Sequence, residues 1–388
     1  MKFNIDSLIN EDLVALRKLF QAQGFDLRFV GGCVRDHLAG KTPKDLDLCT
    51  DANPDEQVAI YNQANIKHIP TGIDHGTITV VLNDVVYEIT SLRLDVATDG
   101  RRATVAYTRD WVEDLARRDF TFNAMSFTFD GLLVDPFNGH SDLRNGIVRF
   151  VGNADQRIKE DYLRILRYFR FMGRFGQGNV PYYNNDIVNN AQGLAQISKE
   201  RVWSEIKQIL AGPNAARMML AIHQHNCAEF IDLPRELNWI MPAENLHARF
   251  PDPIAMMIYL YGTATAKAVI KDWKASREEQ DYASYLSHVA MNIDHYDGYY
   301  ELAVEGVRRD WVVKAAKMKN EDAFEIFMYE GWKIPDFPVN GYDLIKLGMK
   351  PGPQYSATIK TLKGEWAARG FKATKEELLA LLNVNAIN

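Results

Sequence analysis

Phe29-Val30-Gly31-Gly32-Cys33-Val34-Arg35-Asp36, followed after a short loop by Lys44-Asp45-Leu46-Asp47-Leu48, is the stretch on which the fold turns. It predicts a strand, a Gly-Gly turn, a short helix from Val34 to about Ala39, and a second strand that carries two carboxylates. Strand side chains alternate between faces, so Asp45 and Asp47 are expected on one side and Leu46 and Leu48 on the other. Paired carboxylates repel, and a divalent cation between them relieves that repulsion. Free backbone N–H groups at Gly31 and Gly32, with Arg35 one helical turn on, suit a phosphate. Alone, an acid pair is equally a solvated edge and a Gly-Gly pair a tight turn. Their succession within seventeen residues points to a metal–triphosphate site.

The bulk numbers set wide bounds. A chain of 388 residues is long for one core and predicts two or more domains. Hydrophobic content of 47% and charged content of 25% are those of an ordinary globular protein. No apolar run approaches the ~20 residues that span a bilayer, and Met1–Asn10 lacks the basic and apolar regions of a leader. Three cysteines without metal-ligand spacing (Cys33, Cys49, Cys227) suit a reducing interior, so a cytoplasmic location is expected. A net charge of −6 argues against nonspecific coating of nucleic acid but is compatible with a local basic groove.

Along the chain, Glu11–Gln23 is an amphipathic helix and Pro54–Gln63 a helix with Pro in its first turn. Thr77–Leu82 and Val85–Leu92 form a hairpin about Asn83-Asp84. Glu88, on its second strand, either lies exposed on an edge or completes a cluster with Asp45 and Asp47. The segment Leu94–Arg109 is poor in apolar residues and includes Arg101 and Arg102, so a mobile loop is expected. Trp111–Ala116 is a short helix delivering Arg117-Arg118-Asp119 and Asn123. A hairpin about Asp130-Gly131 follows, with a last strand at Ile147–Val151.

From Asn153 the periodicity turns helical. Asp161, Arg164, Arg167 and Arg170 recur every three residues as a polar stripe along one helix, with Leu163, Leu166 and Phe169 packing its other side. Ser198–Leu210 is helical, and Pro-Gly-Pro at 351–353 breaks two helical stretches. Basic residues gather at Lys267, Lys271, Lys274 and Arg277, near Trp273, and at Arg308, Arg309, Lys314, Lys317 and Lys319, near Trp311. Each is a solvated face or a surface for an RNA backbone.

The order of strand, Gly turn, helix and acidic strand resembles nucleotidyltransferases of the polymerase-β type. GGCVRDHLAG with KDLDL, PTGIDHGT, EITSLRLDVATDGRR, RRDFTFNAMS, VDPFNGHSDL, EDYLRILRYFRF and ISKERVWSEI together resemble the class II tRNA nucleotidyltransferases, the CCA-adding enzymes, from Phe29 to about Leu210. Asn340-Gly341-Tyr342-Asp343-Leu344 and GMKPGP are a weaker echo. The resemblance implies an α+β fold: a polymerase-β-like head with a mixed sheet over 1–152, then an all-α neck (153–211), body and tail (212–388). It also implies addition of CCA to the 3′ end of tRNA from CTP and ATP, with Mg2+ as cofactor and no membrane or protein partner.

In that reading Asp45 and Asp47 hold two metal ions and Glu88 is a third carboxylate. Gly31, Gly32 and Arg35 bind the triphosphate, while Arg118, Asp119 and Asn123 contact phosphate or ribose. Asp161 and Arg164 act as a protein template, because a carboxylate only accepts and a guanidinium only donates. Cytosine and adenine each offer an amine beside a ring-nitrogen acceptor; guanine and uracil offer a carbonyl and an N–H there. Each mismatch leaves a buried group unpaired at ~1–3 kcal/mol. Arg167 and Arg170 face the triphosphate or stack on the base, and the loop at Arg101 and Arg102 is the suspected seat of the C-to-A switch. Within the family, a poly(A) polymerase or an enzyme adding only CC or only A is the alternative. A non-catalytic RNA-binding relative would lack a carboxylate or the Gly-Gly turn, and neither is missing. No His-Asp pair with companion histidines follows residue 200, so no hydrolase domain is expected.

Overall fold

In the computed structural model, which describes every residue except 73–75, 99–102, 177–183, 238–249, 251, 293, 295, 322–327, 351 and 385–388, the chain divides into two units, Met1–Leu237 and Asn238–Asn388. The loop positions Arg101 and Arg102, and part of the PTGIDHGT stretch, lie outside the described residues.

The first unit begins with α1 (Glu11–Ala22), capped by the Asn10 side chain on the Leu13 N–H at 2.9 Å, and buries Leu13, Leu16 and Phe20. Strand β1 (Leu27–Val30) runs into α2 (Gly32–Leu38). Next come β2 (Leu48–Thr50), α3 (Pro54–Gln63, with a full capping box from Asn53 and Glu56), β3 (Lys67–Gly72), β4 (Thr77–Leu82) and β5 (Val85–Ser91). With β8 (Ser126–Thr128) and β9 (Leu133–Val134) they form a seven-stranded sheet ordered β3-β4-β5-β2-β1-β8-β9. The β2–β5 pair is parallel and the others antiparallel, so the sheet is mixed. Alternation buries Leu27, Phe29, Ile78, Val80, Ile89 and Phe127. The β4–β5 turn is made by Asn83 and Asp84, both at positive φ (46° and 63°), the backbone that a two-residue hairpin demands.

Three expectations are corrected here. Asp45 and Asp47 do not stand on a strand: a bend at Lys44-Asp45 delays β2 until Leu48, and only the Asp47 carbonyl, accepting from the Val30 N–H at 3.0 Å, continues the ladder. The segment read as a loop contains a separate two-stranded ribbon, β6 (Arg93–Thr98) and β7 (Ala103–Tyr107). A ribbon satisfies its backbone by self-pairing, so it needs little of the apolar content on which the reading relied. Ile147–Val151 is not a strand; Phe150 makes one bridge to Phe120, because the partner segment turns at once into a 3-10 turn, Thr121–Asn123.

Beyond Asn153 the first unit is helical: α6 (Ala154–Glu160) and α7 (Leu163–Phe175) follow α4 (Trp111–Ala116) and α5 (Gly139–Arg144), and α8 (Asn184–Asn190), α9 (Lys199–Leu210) and α10 (Ala215–Gln224) complete it. An aromatic cluster fixes α7 to the end of the sheet domain. Phe120 lies 4.8 Å from Phe150 and 5.4 Å from Phe171, and Phe122 lies 5.2 Å from Phe171, ring centre to ring centre. Phe120, Phe122 and Phe150 are sealed from solvent, each worth ~1.5–3 kcal/mol of transfer energy.

The second unit is helical throughout its described residues, including Pro253–Tyr261, Thr263–Asp272, Arg277–Met291, Arg309–Lys319 and Pro353–Ala368. Leu344, Leu362, Trp366 and Leu378 form its core near the C-terminus. Trp273 is buried and cannot stack on a base. In the second basic cluster, Arg308 pairs with Asp310 and Glu278, Lys314 with Asp252 and Lys319 with Glu321, while Arg309 donates to the carbonyls of Tyr329 and Trp332. Each of these four thus has a protein partner, with Arg308 and Lys314 still partly exposed. Among the described residues no helix is long and apolar enough to cross a membrane.

Candidate active site

A cleft of about 600 Å³ opens in the first unit between the β1–α2 turn, the α4–Asn123 segment and α7 with α9. Gly31, at φ 67° and ψ −120°, takes a backbone that only glycine adopts comfortably. A Cβ there would stand 2.5 Å from Nη1 of Arg118. Its own N–H is used by the Met125 carbonyl (3.1 Å), so the expected phosphate-facing donors begin at Gly32 and not at Gly31. A Cβ on Gly32 would meet Asp47 Oδ2 at 3.4 Å, which sets the turn directly against the acid.

Asp47 opens onto the cleft yet is densely surrounded. Desolvation pushes its carboxyl up, opposed by Arg118 and Arg35 and reinforced by Asp45 and Glu88. Glu88 is not on a sheet edge: β5 lies between β4 and β2, and the parallel register that sets Leu48 against Ile89 brings Glu88 toward Asp47. Among the described residues no three His, Cys, Asp or Glu side chains close a metal cage. Mg2+ ordinarily takes one or two carboxylates and completes its shell with water and substrate phosphate oxygens. The Asp45–Asp47 pair, its repulsion only partly offset by Arg118 and Arg35, fits that ligation.

Arg118 is held by Asp114, which is 1% exposed on its side chain and also takes Arg117: the bridges measure 3.1 and 2.7 Å. Burial acts to raise the Asp114 carboxyl, but the two arginines override it and hold it below its usual range. Asp119 and Asn123 form an internal chain. Arg35 donates to Asn123 Oδ1 (2.6 Å), Asn123 Nδ2 donates to Asp119 Oδ1 (2.9 Å), and Arg167 Nε donates to Asp119 Oδ2 (2.7 Å). Burial again acts to raise the Asp119 carboxyl, and Arg167, Asn123 and the Phe120 N–H bring it below its usual value. Both oxygens of Asp119 therefore already have protein donors.

The polar stripe is not carried by one helix. Asp161, with an extended backbone (φ −156°), is the break between α6 and α7. It lines the cleft with Arg164, Arg167 and Arg170, which do stand on α7. Arg201, from α9, donates to Asp161 Oδ2 at 2.8 Å. Arg164 donates to Glu160 (2.7 Å) and to the carbonyls of Arg157 (2.9 Å) and Arg117 (3.3 Å). Glu205 lies between Arg167 (3.7 Å) and Arg170 (3.1 Å), and burial keeps its carboxyl raised despite both. Phe171 underlies this group, with Arg170 4.5 Å and Arg35 5.0 Å from its ring centre. Sequence reading missed Arg201 and Glu205. Both sit one helical turn apart in ISKERVWSEI, and that spacing was the available signal.

The geometry thus brings a Gly-Gly turn, Asp47 of the acid pair and a guanidinium beside a carboxylate to a single cleft. Residues 27–149 match the poly A polymerase head domain, and residues 184–232 match the probable RNA and SrmB-binding site of polymerase A. The chain is 37% identical to the mitochondrial CCA tRNA nucleotidyltransferase 1 of Danio rerio, over 97% of this chain and 92% of that protein. It is 36% identical to the Homo sapiens protein of the same name, over 97% and 91%. A crystal structure of the Bacillus stearothermophilus CCA-adding enzyme in complex with CTP superposes with a TM-score of 0.78 at 25% identity, over 97% of this chain and 98% of that one.

Proposed function

Because the chain belongs to the tRNA nucleotidyltransferase/poly(A) polymerase family of the CCA-adding enzymes, we propose that it adds C, C and A to the 3′ end of tRNA, using CTP and ATP, releasing pyrophosphate and needing no nucleic-acid template. The observation that carries this reading is the presence of Asp161 and Arg164 in the same cleft as Asp47 and the Gly31-Gly32 turn. The cleft joins a base-blind reaction centre to a pair of side chains able to read one Watson–Crick edge.

Asp45 and Asp47 would hold Mg2+, with Glu88 supporting the negative field around them. Bound there, two ions supply activation of the tRNA 3′-hydroxyl and neutralisation of charge on the departing pyrophosphate. Gly32, Arg35 and Arg118 orient the triphosphate. Arg167 and Arg170 supply further positive charge, while Asp119 and Asn123 keep Arg35 and Arg167 in register. Asp161 accepts from the amine of cytosine or adenine, and Arg164 donates to the adjacent ring nitrogen. Arg201 and Glu160 hold these two readers in place.

In this reading residues 1–152 are the catalytic head, 153–211 the base-recognising neck, and 212–388 the body and tail that bind tRNA. A cytoplasmic location belongs to the same proposal; the vertebrate relatives are named mitochondrial. The test is incubation of the protein with tRNA lacking its last three nucleotides and each nucleoside triphosphate in turn. CTP alone should give two additions, and CTP with ATP three. Long A tracts without C would replace this reading with that of a poly(A) polymerase.

A further inference from the structure

Gly193 is a buried glycine in the 3-10 turn Ala191–Gln196, which follows α8. A Cβ there would stand 2.1 Å from Cδ1 and Cε1 of Tyr162 and 2.4 Å from Cγ, so the tyrosine ring lies against the bare Cα. Tyr162 stands between the two base readers, Asp161 and Arg164, at the break between α6 and α7. Asp161, Leu163 and Arg164 line the cleft, and the Tyr162 ring is turned from it onto Gly193. The Arg164 N–H donates to the Asp161 carbonyl (3.0 Å) and the Ile165 N–H to the Tyr162 carbonyl (3.1 Å). The Leu163 N–H donates to Asp161 Oδ1 (3.2 Å), while Oδ2 takes Arg201 (2.8 Å). Each oxygen keeps a lone pair for a base, and its aim follows the backbone of residues 161–163.

The same segment grips the other end of α6. Asn190, also buried, donates to Asp155 Oδ1 in the first turn of α6 and to the Asp186 carbonyl, both at 2.8 Å. Residues 190–193 therefore hold α6 at its start and Tyr162 just past its end. In turn α6 carries two groups that accept from Arg164, the Glu160 carboxylate and the Arg157 carbonyl. Asn190 and Gly193 lie in the stretch matched to a probable RNA-binding site, yet both face inward.

Resting on the nucleotidyltransferase reading, we propose that Gly193 and Tyr162 are positioning residues for base selection. The glycine is a seat for the tyrosine ring, and the seated ring fixes Asp161 and Arg164 in the register that matches an amine beside a ring-nitrogen acceptor. Carbon atoms in contact stand about 3.5–4.0 Å apart, so an alanine Cβ at residue 193 displaces the ring by roughly 1.5 Å. Hydrogen bonds of ordinary length do not survive drifts of that size in donor or acceptor. The readers would then lose their match to cytosine and adenine, while the groups placed at the triphosphate, Gly32, Arg35 and Arg118, belong to other elements.

The test compares full-length wild type with Gly193→Ala, Tyr162→Ala, the double variant and Tyr162→Phe. Binding of CTP, ATP, UTP and GTP is titrated by calorimetry without tRNA, kcat/KM is measured for each nucleotide on tRNA lacking its last three nucleotides, and inorganic pyrophosphate is assayed as an inhibitor. Gly193→Ala and Tyr162→Ala should each cut the preference for CTP over UTP about tenfold, the worth of one buried hydrogen bond. Inhibition by pyrophosphate should not move, and Tyr162→Phe, which keeps the ring, should keep the preference. Adding Gly193→Ala to Tyr162→Ala should change little further, because the ring that the new Cβ would strike is gone. An equal fall in kcat/KM for all four nucleotides with the preference intact would leave the contact a merely structural one. Additive effects of the two substitutions would deny that the glycine acts through the ring; either result overturns the proposal. Should Gly193→Ala fail to fold, Tyr162→Ala against Tyr162→Phe decides in the same way. A wild type that binds CTP over UTP but does not extend tRNA would instead overturn the activity, and the calorimetric comparison of variants still judges the seat.

Discussion

Asp119→Asn is the substitution whose consequence the structure specifies most fully. Asp119 is 7% exposed and accepts from the Phe120 N–H (2.8 Å), Asn123 (2.9 Å) and Arg167 (2.7 Å). Asparagine is isosteric and keeps one acceptor for Phe120 and Asn123, but it turns an N–H2 toward the Arg167 guanidinium and removes the charge. Taking one partner from a buried ion pair costs about 3–5 kcal/mol. Arg167 retains Glu205 at 3.7 Å, so the lower end is expected, about 3 kcal/mol. For a cooperative unit the size of Met1–Leu237 that lowers Tm by about 6–12 °C. Urea and thermal unfolding measure the loss, and a double-mutant cycle with Arg167→Met assigns it, with a coupling of about 1–3 kcal/mol expected. kcat/KM should fall for CTP and ATP together, because Arg167 lines the shared cleft. A loss under about 1 kcal/mol, or independent effects of the two substitutions, would refute the reading of Asp119 and Arg167 as a coupled buried pair.

Gly31→Ala combines a glycine-only backbone, costing about 1–3 kcal/mol, with a collision against Arg118, so it should lower stability by that amount and weaken CTP binding in a direct titration. Asp45→Ala should abolish nucleotide addition while tRNA still binds in a gel-shift assay; retained turnover would remove the metal assignment. Arg164→Ala should relax the choice among the four nucleotides more than it weakens tRNA, and single-nucleotide incorporation shows whether it does. Asp114 and Asp119 both titrate below the ordinary carboxylate range. Their stabilisation is therefore fully present above the unfolded value of ~3.9 and is lost as pH falls through their folded values. Urea midpoints from pH 7 to 3 should show that acid limb, shallower in Asp119→Asn.

Much of the fold is written in short-range signals. The hairpin at Asn83-Asp84 needed only β-branched alternation and two residues tolerant of positive φ, and α3 needed only Pro54 and its capping residues. The acid pair was legible as chemistry but not as geometry, since the alternation of Asp45 and Asp47 with Leu46 and Leu48 reads as a strand while the backbone bends at Lys44-Asp45. The break at Asp161 was hidden for a similar reason. A three-residue recurrence fits a continuous helix, and the partner of the extended Asp161, Arg201, lies forty positions on. Asp119 was legible as a polar residue beside arginines, but its commitment to Arg167 lies across 48 positions. The trace of such pairings in one sequence is at most a compatible charge.

The parts of the cleft are widely separated in the order of synthesis. Gly31 is made early, and Glu205 and Gln208, which hold Arg170, come roughly 180 residues later. At about 5–20 residues per second, a nascent chain carries its acid pair and Gly-Gly turn for about 10–35 s before the last pieces of the cleft leave the ribosome. Of the arginines on α7, Arg164 and Arg167 find Glu160 and Asp119 already made, whereas Arg170 precedes Glu205 by 35 residues, about 2–7 s at that rate. A chain that ends before α9 therefore carries Arg170 without its acid while the rest of that face of α7 already has its partners.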